Sequence, residues 1–168
     1  MKEQQLEFNE FETPELRYRA LLDLLKTAEA LWQGSKVFFA KWEISPSQFN
    51  VLNLLRASSQ GMTQTALSKE LLMHRSNMTG IIDSLERRKL VVRNEIPGDR
   101  RVYLVKLTDK GAKLVQEILP YFYQLSEEVM KCLERDQVKA FIKELQSIYI
   151  SAERLIQVIK NKNLPSKL

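Results

Sequence analysis

With one cysteine and one histidine among its 168 residues, the chain has little material for most kinds of chemistry. Cys132 has no partner for an internal disulfide, which fits a reducing cytoplasm. His74 and Cys132 stand far apart with no companion at ligand spacing, whereas a zinc site takes about four ligands. No metal and no cofactor are therefore expected. Glycine is scarce too, and none of the five falls in a phosphate-binding loop or a nucleophile elbow. Serine, aspartate and glutamate are plentiful but form no recognisable constellation, so no catalytic residues are expected and the enzyme class drops out. No apolar run approaches the roughly 18 residues of a membrane span, and the polar start MKEQQLEFNE is unlike a signal peptide. What remains is a cytoplasmic protein with no membrane partner, one domain by length and long enough for a real core.

Positive charge is in excess and unevenly placed. The formal net charge is +5. Residues 61–111 hold ten Lys/Arg against six Asp/Glu, while residues 1–60 hold seven against eight. A local positive field is what phosphate binding needs, because neutralised phosphates release condensed counterions. Charge alone identifies no partner; here it coincides with a motif.

The basic excess falls on the stretch from Thr63 to Lys106, which reads as helix, turn, helix and two strands joined by a basic turn. The second helix is expected from about Arg75 to Arg88. Met78, Ile81, Ile82 and Leu85 recur at i, i+3, i+4 and i+7, an apolar stripe facing a core. The opposite face carries Ser76, Gly80, Asp83 and Arg87, flanked by Asn77, Thr79 and Ser84. Small polar side chains let a helix backbone enter a groove, and arginines at its ends reach phosphates on the groove walls. A solvated face that touches nothing would look the same, so the neighbouring elements decide. Leu90-Val91-Val92-Arg93 starts a strand and Pro97-Gly98-Asp99-Arg100 is a turn signal. Val102 and Leu104 then alternate against Tyr103, Val105 and Leu107. Helix, helix and hairpin in that order, with arginines at the hairpin tip, give the layout of a winged helix-turn-helix.

The segments SPSQFNVLNLL, TQTALSKELL, SNMTGIIDSLERRKLVVR and PGDRRVYLVKLTDKG resemble successive motifs of MarR-type (multiple-antibiotic-resistance regulator) transcription factors. The resemblance covers Ile44 to Gly111 closely and the flanking helices by pattern only. Asp99-Arg100-Arg101, followed by Leu107-Thr108 and Gly111, is its most specific part. It implies a homodimeric repressor on a pseudo-palindromic operator in double-stranded DNA, released by a small phenolic or other ligand or by oxidation of a cysteine. In such a complex Ser76, Asn77 and Thr79 are expected near base edges, with Arg75 on a base or a phosphate. Lys69, Arg87, Arg88 and Arg93 are the candidate phosphate clamps. In the wing the resemblance pairs Asp99 with Arg101: Asp99 orients an arginine, and Arg101 (or Arg100) enters an A/T-rich minor groove. The chain departs from the family in having Gly80 and Ser84 where basic residues are frequent, and Lys89 where glycine usually ends the helix.

The expected fold is mainly α with a small antiparallel β-hairpin. Its winged helix-turn-helix at 44–111 is flanked by helical dimerisation segments at 13–43 and 112–168. Residues 1–12 read as a flexible arm. Thr13-Pro14 starts a helix with Tyr18, Leu25, Trp32 and Phe39 seven apart, expected to be interrupted at Gly34 and Ser35. Ser45-Pro46-Ser47-Gln48 is a capping-box pattern. Met62 adds a short edge strand, and Thr63 and Thr108 cap the helices that follow them. The helix after Thr108 is expected to turn Leu114, Ile118, Phe122, Leu125 and Val129 inward and to kink at Pro120. The chain is expected to turn again around Arg135 to Gln137. The last helix keeps Val138, Leu145, Ala152 and Ile159 strictly seven apart, a helix-association seam. Both chain ends are thus expected to build a dimer interface.

Trp32, Phe38, Phe39, Trp42, Phe122 and Tyr123 are the candidate lining of a pocket for a small aromatic effector; aromatics at helical spacing also form plain core. Cys132, beside Val129 and Leu133, reads as a buried structural thiol, against which stands the alternative of a cysteine-based redox-sensing regulator. A dimeric helical interaction protein that never binds DNA is the other alternative.

Overall fold

The computed structural model describes residues 13–96 and 99–161. The expected arm at 1–12 and the Pro97-Gly98 turn lie outside the described residues, as do the side chains of Asp99, Arg100 and Arg101. The elements are α1 (Thr13–Ala40), α2 (Pro46–Arg56), β1 (Met62–Thr63), α3 (Gln64–Glu70), α4 (Arg75–Arg87), β2 (Val91–Ile96), β3 (Asp99–Leu107), α5 (Asp109–Met130) and α6 (Arg135–Lys160). The strands form one antiparallel sheet in the order β1-β3-β2.

Local sequence explains most of these boundaries. Ser45 Oγ accepts from the Gln48 amide at 3.1 Å and Gln48 Oε1 accepts from the Ser45 amide at 2.8 Å, so α2 starts in a reciprocal capping box. Its inner face buries Phe49, Leu52 and Leu55, and the Phe49 ring stacks on Phe39 of α1 with centroids 4.5 Å apart. Gly61 has a φ of 80°, and a Cβ there would stand 2.6 Å from the Val105 carbonyl oxygen. Only glycine lets the chain pass this close, which brings Met62 opposite Val105 and makes β1 an edge strand. Thr63 Oγ1 then caps α3 by accepting from the Ala66 amide at 3.1 Å.

Several expectations change. α1 runs unbroken through Gly34 and Ser35. The Ser35 hydroxyl donates to the Trp32 carbonyl at 2.7 Å, so it is satisfied within the helix, and one glycine costs only about 1 kcal/mol against alanine. The chain turns at residues 131–134, and α6 is already helical at Arg135, its first turn fixed by Gln137 Oε1 accepting from the Glu134 amide at 2.8 Å. Cys132 lies in that turn and is exposed, not buried, because α5 has ended two residues earlier.

α5 continues through Pro120 to Met130. Proline has no N–H to offer the carbonyl four residues back, which is that of Gln116. The chain divides into two compact units between Gln116 and Glu117, next to that missing bond. The first unit holds the sheet, α1 to α4 and the start of α5. The second holds the rest of α5 and all of α6. The expected inner stripe of α5 is buried at Ile118, half-buried at Leu114 and Phe122, and exposed at Leu125 and Val129. α6 buries none of its residues, and Phe141, Ile148, Leu155 and Ile159 are all open to solvent. Along α1, Leu16, Tyr18, Leu21 and Leu25 are exposed as well.

Candidate nucleic-acid interface

α3 and α4 form the helix-turn-helix. α4 begins at Arg75, with His74 as N-cap and its Nδ1 2.9 Å from Ser76 Oγ. Met78, Ile82 and Leu85 are completely buried on its inner face, beside Leu67 of α3 in the same core. Burying three such side chains stabilises the helix on its scaffold by roughly 5 kcal/mol or more. The outer face presents Ser76, Asn77, Thr79, Gly80, Asp83 and Arg87, all exposed. Ser84 is half-buried and accepts from Gln48 Nε2 at 3.0 Å, so it ties α4 to α2.

The helix start is braced from α3. Gln64 Nε2 donates to the Arg75 carbonyl at 3.3 Å and to Thr79 Oγ1, and Thr79 Oγ1 donates to the Arg75 carbonyl at 3.1 Å. Arg75 Nη2 donates to Thr65 Oγ1 at 2.9 Å. These bonds hold Arg75 and Thr79 in place while leaving both exposed. Gln64 and Thr65 were not among the expected site residues; the only sign of them is a polar run directly after the Thr63 cap. A cleft of about 210 Å³ opens beside this network, with Gln64, Thr65, Arg75, Arg93 and Tyr103 in its wall.

The basic residues divide into two groups. Lys69, Arg75 and Arg87 are exposed. Arg88 and Arg93, expected as phosphate clamps, have partners inside the fold. The Arg88 guanidinium donates to the Glu43 carbonyl and, at 3.2 Å, to the Trp42 carbonyl, closing the end of α1. Arg93 of β2 pairs with both Glu86 and Asp83 of α4. Partial burial alone would lower the Arg93 pKa, but the hydrogen bond to Asp83 and the charges of Glu86 and Asp83 raise it above the ordinary arginine value. Asp99, Arg100 and Arg101 open β3, where Asp99 pairs with Ile96 beside an irregularity in the register.

Of the expected aromatic pocket, Phe38, Phe39 and Trp42 come together, with ring centroids 5.0 and 5.3 Å apart. Phe39 is core, Phe38 and Trp42 are half-buried, and Trp32 is exposed. Phe122 and Tyr123 belong to the second unit. Among the described residues no three His, Cys, Asp or Glu side chains gather to hold a metal ion. Among them, too, no helix is long and apolar enough to cross a membrane.

Comparison with known proteins bears on this geometry. A model of the MarR family matches residues 42–102, from the end of α1 into β3. The HTH-type transcriptional repressor NicR of Pseudomonas putida is 32% identical over 111 residues, covering 66% of this chain and 70% of NicR. Among solved structures, S. aureus MepR in complex with DNA superposes with a TM-score of 0.69 at 23% identity, covering 84% of this chain and 99% of that one. PcaV of Streptomyces coelicolor, solved with its natural ligand, gives 0.67 at 23% identity over 75% of this chain and 91% of that one.

Proposed function

Because the chain belongs to the MarR family, we propose that it is a transcriptional regulator, not an enzyme, and that it binds double-stranded DNA as a homodimeric repressor. The observation that carries this is α4: an exposed small-and-polar face, rigidly held at its start by Gln64 and Thr65, standing beside a basic hairpin. In this reading α4 enters the major groove, with Ser76, Asn77 and Thr79 at base edges. Arg75, Lys69 and Arg87 meet phosphates, and Asp99, Arg100 and Arg101 serve the wing.

The dimer is supported by the apolar faces of α1 and α6, since large contiguous apolar surface on a chain that spans no membrane marks an interaction site. Residues 13–43 and 112–168 are the proposed dimerisation segments, and 44–111 the DNA-binding region. Two-fold symmetry would set the two copies of α4 one duplex turn apart, roughly 34 Å, on a pseudo-palindromic site. Release by a small aromatic effector belongs to the same reading. Its support is the likeness to PcaV and the half-buried rings of Phe38 and Trp42.

The test is selection of duplexes from a random pool by the purified protein, then titration of the best duplex with wild type and Arg101→Ala at several salt concentrations. The expected result is a loss of affinity with a salt slope smaller by about 0.9, one phosphate-sized charge. Sedimentation should give twice the chain mass. A monomer that retains no duplex at low salt would overturn the reading, and an unchanged slope would remove Arg101 from it.

A further inference from the structure

We infer that Arg93 is a positioning residue that sets the wing against the recognition helix and is not itself a contact to DNA. The inference rests on the DNA-binding reading of α4 and the β2–β3 hairpin.

The geometry is a fork. Arg93 Nη1 donates to Glu86 Oε2 and Nη2 to Asp83 Oδ1, and the Arg93 backbone amide donates to the other Glu86 oxygen at 3.2 Å. Both carboxylates lie on the second half of α4, and Arg93 lies on β2, opposite Val105 of β3. Three hydrogen bonds, two of them between full charges, thus join the helix to the strand near the root of the hairpin. The planar guanidinium is the one side chain able to satisfy two separate carboxylates at once. Its side chain is only 23% exposed, against 50% for Asp83, so the cation is drawn inward and the acids form the outer rim.

That arrangement has an electrostatic consequence. Asp83 is exposed on the face of α4 proposed to meet DNA, where a bare carboxylate would repel phosphate. Arg93 neutralises it within the fold, so its charge serves α4 and is not left over for a phosphate. From Arg93 the strand runs on through Asn94 and Glu95 to Ile96 and the wing tip. A small rotation of β2 on α4 would be magnified along that arm. Fixing the root with a two-pronged pair therefore restricts where the wing arginines arrive relative to α4.

The test has two arms. In DNA-free protein, amide exchange is followed at Val92 to Glu95, with Leu52 and Leu55 of α2 as controls, for Arg93→Gln, for Asp83→Asn/Glu86→Gln and for the triple variant. Positioning predicts exchange about tenfold faster in β2 for the first two, no further gain in the triple, and unchanged controls. In the second arm Arg93→Gln is titrated with the best duplex selected from a random pool by wild type. Affinity is expected to fall about tenfold at every salt concentration with the slope unchanged. Unaltered β2 exchange together with a slope smaller by about 0.9 would make Arg93 a phosphate contact and overturn the inference. If wild type selects no duplex, the DNA reading fails, and the exchange arm still decides whether Arg93 holds β2 on α4.

Discussion

A Cβ at position 111 would overlap the carbonyl oxygen of Leu90, so the first turn of α5 lies directly on the end of α4. The same carbonyl accepts from the Thr108 amide at 3.1 Å, while Thr108 Oγ1 donates to the Lys89 carbonyl at 2.7 Å and Lys110 Nζ to the Arg88 carbonyl at 3.0 Å. Three successive carbonyls that a helix end leaves open are thus taken up by residues 108–110, and Thr108 Oγ1 also caps α5 through the Gly111 amide at 3.1 Å. Gly111→Ala must push backbone from backbone and loosen that whole junction. Its expected cost is about 2 kcal/mol, which for a chain of this size lowers the melting temperature by roughly 4–8 °C. Thermal unfolding decides it: a variant that melts with wild type would show that α5 yields without loss.

The helix ends carry a second strain. Glu43, Leu72 and Lys89 all have positive φ, at 55°, 51° and 59°. Each sits just past a helix and in the same pair of bonds. At α4 the Lys89 amide donates to the Glu86 carbonyl at 2.8 Å and the Leu90 amide to the Leu85 carbonyl at 3.0 Å; at α3 the corresponding bonds are Leu72 to Lys69 at 3.3 Å and Met73 to Ser68 at 2.9 Å. This is the Schellman closure, whose left-handed residue is usually glycine because a Cβ costs roughly 1 kcal/mol there. Lys89→Gly and Leu72→Gly are each expected to raise the melting temperature by about 2–4 °C. Lys89 and Leu72 are exposed, so little packing is lost with either side chain. If both variants melt at or below the wild-type temperature, the gain in backbone strain is smaller than the glycine entropy it brings.

What could be read in the sequence was what depends on near neighbours. The Ser45–Gln48 box, the Thr63 and Thr108 caps, the edge strand at Met62 and the stripe on α4 each involve residues within a turn or two, and each is found in place. The roles of the arginines were not legible in the same way. Arg88 finds its carbonyls 45 and 46 residues back, and nothing in an Arg-Arg-Lys run says which guanidinium turns inward. Arg93 differs in that Glu86 is seven residues away across a tight helix-to-strand turn. Even so, the pairing follows only once β2 is known to fold back on α4. Leu125 and Val129 show a limit of another kind: their stripe is regular, yet they are exposed in one chain. Heptad spacing identifies a face without saying whose surface covers it.

Gly80 tests the proposed interface most directly, because the fold gives it no reason to be glycine. It lies in the middle of α4, its φ is helical, and a Cβ built there would meet nothing within 4 Å. Internal stability alone would favour alanine by about 1 kcal/mol. Gly80→Ala is therefore expected to melt about 2–4 °C higher than wild type. If α4 enters the major groove with this face, the added methyl sits between the helix backbone and the DNA, and affinity should fall while stability rises. Opposite signs for the two measurements on one variant are hard to obtain from misfolding, which would lower both. A duplex titration in which Gly80→Ala binds as tightly as wild type, with its melting temperature raised, would place the DNA against some other surface of the helix.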